Sequence, residues 1–480
     1  MPFTREIHRL LFGVLVAFAI IAASAAYWAI SGADTILRRE DNPRLVEAEQ
    51  RIIRGNIADR NGNLLVESVA EENGIVSRAY LYPETNGALG YFSLRYGVAG
   101  AEAAYDTLLR GDDLHPGLNE YLTESLLHQA QAGSDIRLTL DLQIQRQVAQ
   151  AMQGQTGAAV VMAVPSGEIL AMVSLPTYDP NTLDANWERL TAASGKPFFN
   201  RVLQGQYQPG GTMQTLLMAT SLVMDQPFDV PVENATASVH IANANLTCAV
   251  RLPPLALDLR EAYAFACPAP FEAISQDIGP ITLQAALDTF LFDQPLTLPG
   301  FVVTPDEEPT PAAAPITITP ENLVENALGQ GQLTINPLTM AVMASAIVND
   351  GNAAQPYTLS EIRSPDSDEW TPVSSALPTI PVTTTNTARQ LQDLMRYAVA
   401  NGAAQNAGRP NIDIGGHAAL AYSGDATQAW FVGFATLVGK RGIAVAVVLE
   451  NSDDAGLAAD IGGTALAAAH AELQQLPIPQ

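Results

Sequence analysis

The chain has 480 residues, 48% apolar and 15% charged, which is enough for two or three globular domains with a large core. Fifty acidic residues against 24 basic ones give a formal net charge of -26. That balance argues against a nucleic-acid partner, which needs clustered Lys and Arg, and against an electrostatic grip on anionic lipid.

Residues 10–30 carry no charge and would span about 31 Å as a helix, the thickness of a bilayer core. Arg5 and Arg9 precede the run, so residues 1–9 are expected in the cytoplasm and the bulk of the chain outside it. A cleaved signal peptide ending at Ala23-Ser24-Ala25 is the rival reading. The run continues unbroken through Tyr27, Trp28 and Ile30, which favours an uncleaved single-pass anchor in the cell membrane.

Residues 32–50 read as a polar stalk. In RIIRGNIADRNGNLLVES, starting at Arg51, Ile52-Ile53 and Leu64-Leu65-Val66 flank Asn61-Gly62-Asn63, a hairpin signal. Residues 102–109, inside GYFSLRYGVAGAEAAYDTLLRG, have helical spacing. Residues 136–140 alternate like a strand, and Asp141 is placed to cap a helix over 142–152. A hairpin follows, with strands 158–164 and 169–175 around Pro165-Ser166-Gly167, and then Ser174-Leu-Pro-Thr-Tyr-Asp-Pro-Asn181.

The segment NRVLQGQYQPGGTMQTLLMATSL, from Asn200 to Leu222, turns at Tyr207-Gln208-Pro209-Gly210 into an apolar helix. Residues 304–320, rich in Pro and Ala, read as an extended insertion. Gly329-Gln330-Gly331 leads into a buried helix that starts at Thr334 or Asn336 with Pro337. Residues 429–451 read as two strands around Gly439-Lys440-Arg441-Gly442, and 455–473 as a terminal helix. Cys248 and Cys267 are the only cysteines. Outside the cytoplasm they can form a disulfide, stabilising by roughly 3 kcal/mol; two separate buried thiols are the other reading.

Together these segments resemble the class B penicillin-binding proteins, the peptidoglycan D,D-transpeptidase family. Arg-Gly-x-Ile-x-Asp-Arg-Asn-Gly resembles the start of the family's non-catalytic pedestal, which makes Asp59 and Glu102 scaffold residues. The hairpin with its Ser174–Asn181 tail, the Tyr207–Gly210 turn, the Gly-Gln-Gly turn and AWFVGFA resemble boxes of its transpeptidase domain. The resemblance implies an α+β chain. It has an N-terminal transmembrane helix (10–30), a stalk with a β-rich pedestal (31–135), and a transpeptidase-like domain (136–480) whose central antiparallel sheet is flanked by helices.

In the family, acyl transfer uses Ser-x-x-Lys on a helix, Ser-x-Asn on a loop and Lys-Thr-Gly on the sheet edge. Aligned on the flanking boxes, the first becomes Gly211-Thr212-Met213-Gln214. The second becomes Ala266-Cys267-Pro268, and the third His417-Ala418-Ala419. The only lysines are Lys196, with Ala193 three residues before it, and Lys440, followed by Arg441-Gly442. Neither Ser-x-x-Lys nor Lys-Thr-Gly occurs anywhere in the chain. The sequence thus reads as a catalytically degenerate member, a pseudoenzyme without cofactor.

Three functions compete. The first is a non-catalytic scaffold or regulator among wall-synthesis partners such as a glycan polymerase. The second is a sensor holding peptidoglycan stem peptide or precursor in a residual cleft of Gly211, Thr212, His417 and Leu420. The third is an enzyme with an unforeseen nucleophile, Cys267 beside His417 being the natural pair unless Cys267 is bridged. The six histidines lack metal-ligand spacing, so no metal is expected.

Overall fold

Residues 157–175 and 426–450 carry apolar side chains on both strand faces, the pattern of a sheet covered on two sides, and both faces are buried. The computed structural model describes residues 4–27, 49–70, 75–112, 131–224, 230–241, 244–292, 296–301, 316–373, 377–424, 426–439 and 441–474. Its central sheet has five strands in the order Ile414–Ser423, Ala426–Leu437, Arg441–Glu450, Gly157–Val164, Ile169–Leu175. All neighbours run antiparallel.

Met162, Trp430, Phe434 and Ala446 point to one side of this sheet, where the helix Pro337–Val348 packs. Val161, Phe431, Val445 and Leu449 point to the other, beneath the helices Leu142–Ala151 and Ala455–Gln474. Burying Trp430, Phe431 and Phe434 contributes about 2–3 kcal/mol each. The terminal helix can lie this close because residue 462 is Gly. A Cβ there would sit 2.0 Å from Phe431 Cδ1.

Local chemistry fixes the helix starts. The Asp141 carboxylate accepts from the N–H groups of Gln143 and Ile144. Asn336 accepts from Thr339 N–H, with Pro337 at the first helical position. The Tyr207 and Ile335 main chains exchange both hydrogen bonds, at 3.1 and 2.8 Å. Arg201 and Tyr207 both donate to Glu450 Oε1 on the sheet, at 2.8 and 2.7 Å. These contacts explain why Arg201 and Tyr207 stand where they do around the 207–210 turn: they hold it to the sheet.

Two compact units are distinguished: Met1–Ile53 with Val69–Ser77 and Pro116–Ala132, and the remainder, Arg54–Ser68 with Arg78–His115 and Gly133–Gln480. The first contains the helix Thr4–Tyr27, whose stretch Ile7–Ala25 has a mean hydropathy of 2.1 and is long enough to cross a membrane. Residues 28–30 of the expected anchor lie outside the described residues, as do 304–315 of the expected insertion.

A second sheet has six strands in the order Thr371–Pro372, Leu359–Arg363, Asp135–Leu138, Ile57–Ala58, Leu64–Ala70, Val76–Tyr80. It draws strands from both sides of residue 135. Trp370 lies under the guanidinium groups of Arg137 and Arg363, at 4.2 and 4.9 Å from its ring centroid. Glu102 is fully buried, with Arg54 at 2.9 Å and Arg78 at 2.7 Å. Burial pushes its carboxyl up, but Arg78 and Arg54 outweigh burial and hold it below the usual range.

Two expectations need correcting. The hairpin around Asn61-Gly62 pairs Ile57–Ala58, not Ile52-Ile53, with Leu64–Val66. The Asp59 carboxylate accepts from Asn61 and Asn63 N–H and so sets a longer turn, while Ile53 bridges Ala132. Helical spacing over 102–109 yields two short helices, Gly100–Ala104 and Asp106–Arg110. The chain breaks at Tyr105, whose hydroxyl bonds that of Thr358 at 2.6 Å and whose ring meets Phe301 edge-on.

Candidate functional site

Three turns converge beside the sheet edge, all within the second unit. The first is Tyr207–Gly210. Gly210 N–H donates to the Gly329 carbonyl at 2.9 Å, and a 3-10 turn, Gly210–Thr212, opens the helix Met213–Val223. Thr212 is 1% exposed, and its hydroxyl donates to the Pro209 carbonyl at 2.6 Å. It is turned into its own backbone.

The second turn ends the helix Leu259–Ala264, which a reciprocal Asp258–Glu261 capping box begins. Ala266 adopts φ +51°, and Pro268 starts the next helical run, Pro268–Thr289, which Gly279 breaks into two helices. Cys267 is bonded to Cys248. A free Cys267–His417 pair is not present. The third turn region is the strand Ile414–Ser423, which is the sheet edge. His417, Ala418, Ala419 and Leu420 on it face Val432, Phe431, Trp430 and Ala429 across the ladder.

The geometry brings these positions together. A Cβ built on Gly211 would lie 2.9 Å from Ala419 Cβ, 3.6 Å from Ala266 Cβ and 3.8 Å from Gln214 Nε2. Gly211 is therefore the point where all three turns meet. The distance to Ala419 is shorter than real Cβ contacts allow, so the space a side chain would need is already filled.

Side-chain hydrogen bonds and a ring stack join the turns. Gln214, buried, donates from Nε2 to the Cys267 carbonyl at 3.3 Å. His417, fully buried, stands 3.2 Å through Nε2 from the Gly211 carbonyl. A carbonyl can only accept, so Nε2 carries the proton. Its ring stacks on Tyr263 with 4.1 Å between centroids and 12° between planes. Tyr263 in turn bonds Thr215 at 3.0 Å. Burial pushes the imidazole down to about 4, with the Gly211 contact acting in the opposite sense, so the ring is neutral at pH 7. Leu420 is half-buried. Next to it on the edge strand, Tyr422 N–H donates to Gln330 Oε1 at 3.1 Å.

Tyr263 and Thr215 were not singled out from the sequence, and Gln330 was named there only as part of the Gly-Gln-Gly turn. Tyr263 sits on the buried face of the short helix Leu259–Ala264, where nothing in the sequence distinguishes a ring that will stack on a histidine about 150 residues away from one that merely fills the core.

The penicillin binding protein transpeptidase domain matches residues 157–468, well over half of the chain. The chain belongs to the penicillin-binding protein transpeptidase family. Its five-stranded sheet with flanking helices is the penicillin-binding transpeptidase fold, and its class is α+β. Peptidoglycan D,D-transpeptidase PbpA of Mycolicibacterium smegmatis is 28% identical over 508 residues, covering 97% of this chain and 98% of the relative. PbpA of Mycobacterium tuberculosis is 27% identical over 499 residues, with 97% and 98% covered. Among solved structures, the D,D-transpeptidase domain of a peptidoglycan glycosyltransferase from Eggerthella lenta superposes with a TM-score of 0.74 at 28% identity, over 89% of this chain and 100% of that one. An imipenem acyl-enzyme complex of penicillin-binding protein A from M. tuberculosis gives 0.74 at 26% identity, over 88% and 99%.

Proposed function

We propose that this penicillin-binding protein is a non-catalytic scaffold or regulator of peptidoglycan assembly. It would be anchored by its N-terminal helix with the bulk of the chain outside the cytoplasm. The stalk and pedestal (31–135) and the transpeptidase-like domain (136–480) would hold wall-synthesis partners, a glycan polymerase among them.

One observation carries this reading: the point where all three turns meet is occupied by Gly211, with Ala419 packed into the space of a missing side chain. Losing a nucleophile alone can cost roughly a million-fold in turnover, about 8 kcal/mol of transition-state stabilisation. Here the amine is replaced by Gln214, whose amide is engaged with Cys267, and the sheet-edge cation by a buried, neutral His417. Cys267, the one candidate replacement nucleophile, is in a disulfide.

The sensor reading draws on the sheet edge, which is present as Ile414–Ser423. Against it, Thr212 and His417 are buried, and Gln330 already takes the Tyr422 N–H that an added peptide strand would use. Isothermal titration with peptidoglycan stem peptides separates the two. A scaffold gives no saturable heat, and saturable binding lost on substitution of Leu420 would favour the sensor.

A further inference from the structure

Ala266 holds a left-handed backbone, φ +51°, that residues with a Cβ rarely adopt. Such a conformation persists only where its surroundings over-determine it. Ala266 N–H donates to the Tyr263 carbonyl at 2.9 Å, and Cys267 N–H donates to the Ala262 carbonyl at 2.8 Å. The Gln214 amide holds the Cys267 carbonyl at 3.3 Å. The one covalent restraint is the bridge to Cys248, across a sequence separation of 19. Cys248 follows the short hairpin of Val239–Ile241 and Ala244–Leu246, and Ala249 N–H reaches back to the Phe265 carbonyl at 2.9 Å.

The two cysteines differ in burial. Cys267 is fully enclosed, whereas Cys248 keeps 8% exposure between exposed Thr247 and half-buried Ala249. Of the two residues Cys248 is the less enclosed, so the attack is assigned to it.

We propose that the Cys248–Cys267 bridge is a redox latch that pins the second turn against Gly211 and His417. This rests on reading the three turns as a closed, non-catalytic junction. The reductant is a dithiol. One of its thiolates attacks Cys248 Sγ, the S–S bond breaks, and Cys267 leaves as a thiolate that takes a proton. The second thiol resolves the mixed disulfide and releases Cys248 as a thiol. Two electrons and two protons pass to the bridge, and the dithiol ends as a disulfide. Without the tether Ala266 relaxes, the Cys267 carbonyl withdraws from Gln214, and Tyr263 no longer holds flat against His417. The junction then has two shapes, selected by the thiol poise of its compartment.

Hydrogen exchange read by mass spectrometry on the full chain in detergent tests this, with dithiothreitol as reductant and alkylation to count thiols. Reduction is expected to speed exchange by about tenfold or more in peptides 259–268 and 414–421, leaving the strand Arg441–Glu450 unchanged. A Cys248→Ser/Cys267→Ser chain should reproduce the pattern without reductant. The latch is overturned if exchange is unchanged once both thiols are alkylated. It is equally overturned if Arg441–Glu450 loosens to the same degree, or if the bridge yields only after unfolding. A penicillin adduct in either redox state would instead overturn the closed-junction reading, a failure the exchange data alone would not produce.

Discussion

The imidazole of His417 lies flat on the ring of Tyr263, 4.1 Å between centroids, while its Nε2 faces the Gly211 carbonyl at 3.2 Å. One side chain thereby joins all three turns that converge at the sheet edge. It also carries a pH signature. Burial holds the imidazole at about 4, against an ordinary 6.5. Between those values the unfolded chain binds a proton that the folded chain does not, so stability falls as pH drops through 6.5 towards 4. The loss is on the order of 3 kcal/mol and levels off below the folded value. Denaturant titrations at pH 7, 5.5 and 4 should show this slope in the parent chain, and a His417→Gln chain should lack that part of it.

Restoring a hydroxyl at Gly211 should not restore a site. The new Cβ would meet Ala419 Cβ at 2.9 Å, so Gly211→Ser is expected to lower stability by about 1–3 kcal/mol and to form no penicillin adduct. Adding Ala419→Gly should recover part of the stability. If Gly211→Ser alone proves neutral in thermal unfolding, the space is not filled as described.

Glu102 tests the buried charge cluster. Glu102→Gln keeps the volume but leaves Arg54 and Arg78 without their shared carboxylate. A loss of about 3–5 kcal/mol in urea unfolding is expected, because the buried Arg78 charge loses its carboxylate while Arg54 keeps only Asp106. A change under about 1 kcal/mol would mean that the guanidinium groups find other partners.

Gly462→Ala probes the terminal helix. Its Cβ would fall 2.0 Å from Phe431 Cδ1, inside a fully buried ring contact, and the helix must lift from the sheet. Destabilisation of about 1–3 kcal/mol is expected, and Phe431→Leu in the same chain should relieve it in a double-mutant cycle.

Much of this molecule was legible in its sequence where local chemistry decides the outcome. Asp141 and Asn336 cap helices, and the strands read over 158–164, 169–175 and 429–451 follow from apolar runs set around Pro165-Ser166-Gly167 and Gly439-Lys440-Arg441-Gly442. The edge position of the strand Ile414–Ser423, which carries His417-Ala418-Ala419, came from the family resemblance. The illegible parts depend on distant partners. Nothing near Tyr105 announces a helix break, and the partners of its side chain, Thr358 and Phe301, lie far along the chain. The sequence aligns Gly211, Ala266 and Ala419 with three motif positions, but only the fold reveals that their Cβ directions converge on one filled point.

The most direct measurement is the intact mass of the full chain after incubation with a penicillin, alongside a penicillin-binding protein that acylates. The non-catalytic reading proposed for the junction around Gly211 predicts an unchanged mass for this chain while the control gains one penicilloyl group. A stoichiometric penicilloyl adduct on this chain, at any residue, would contradict it.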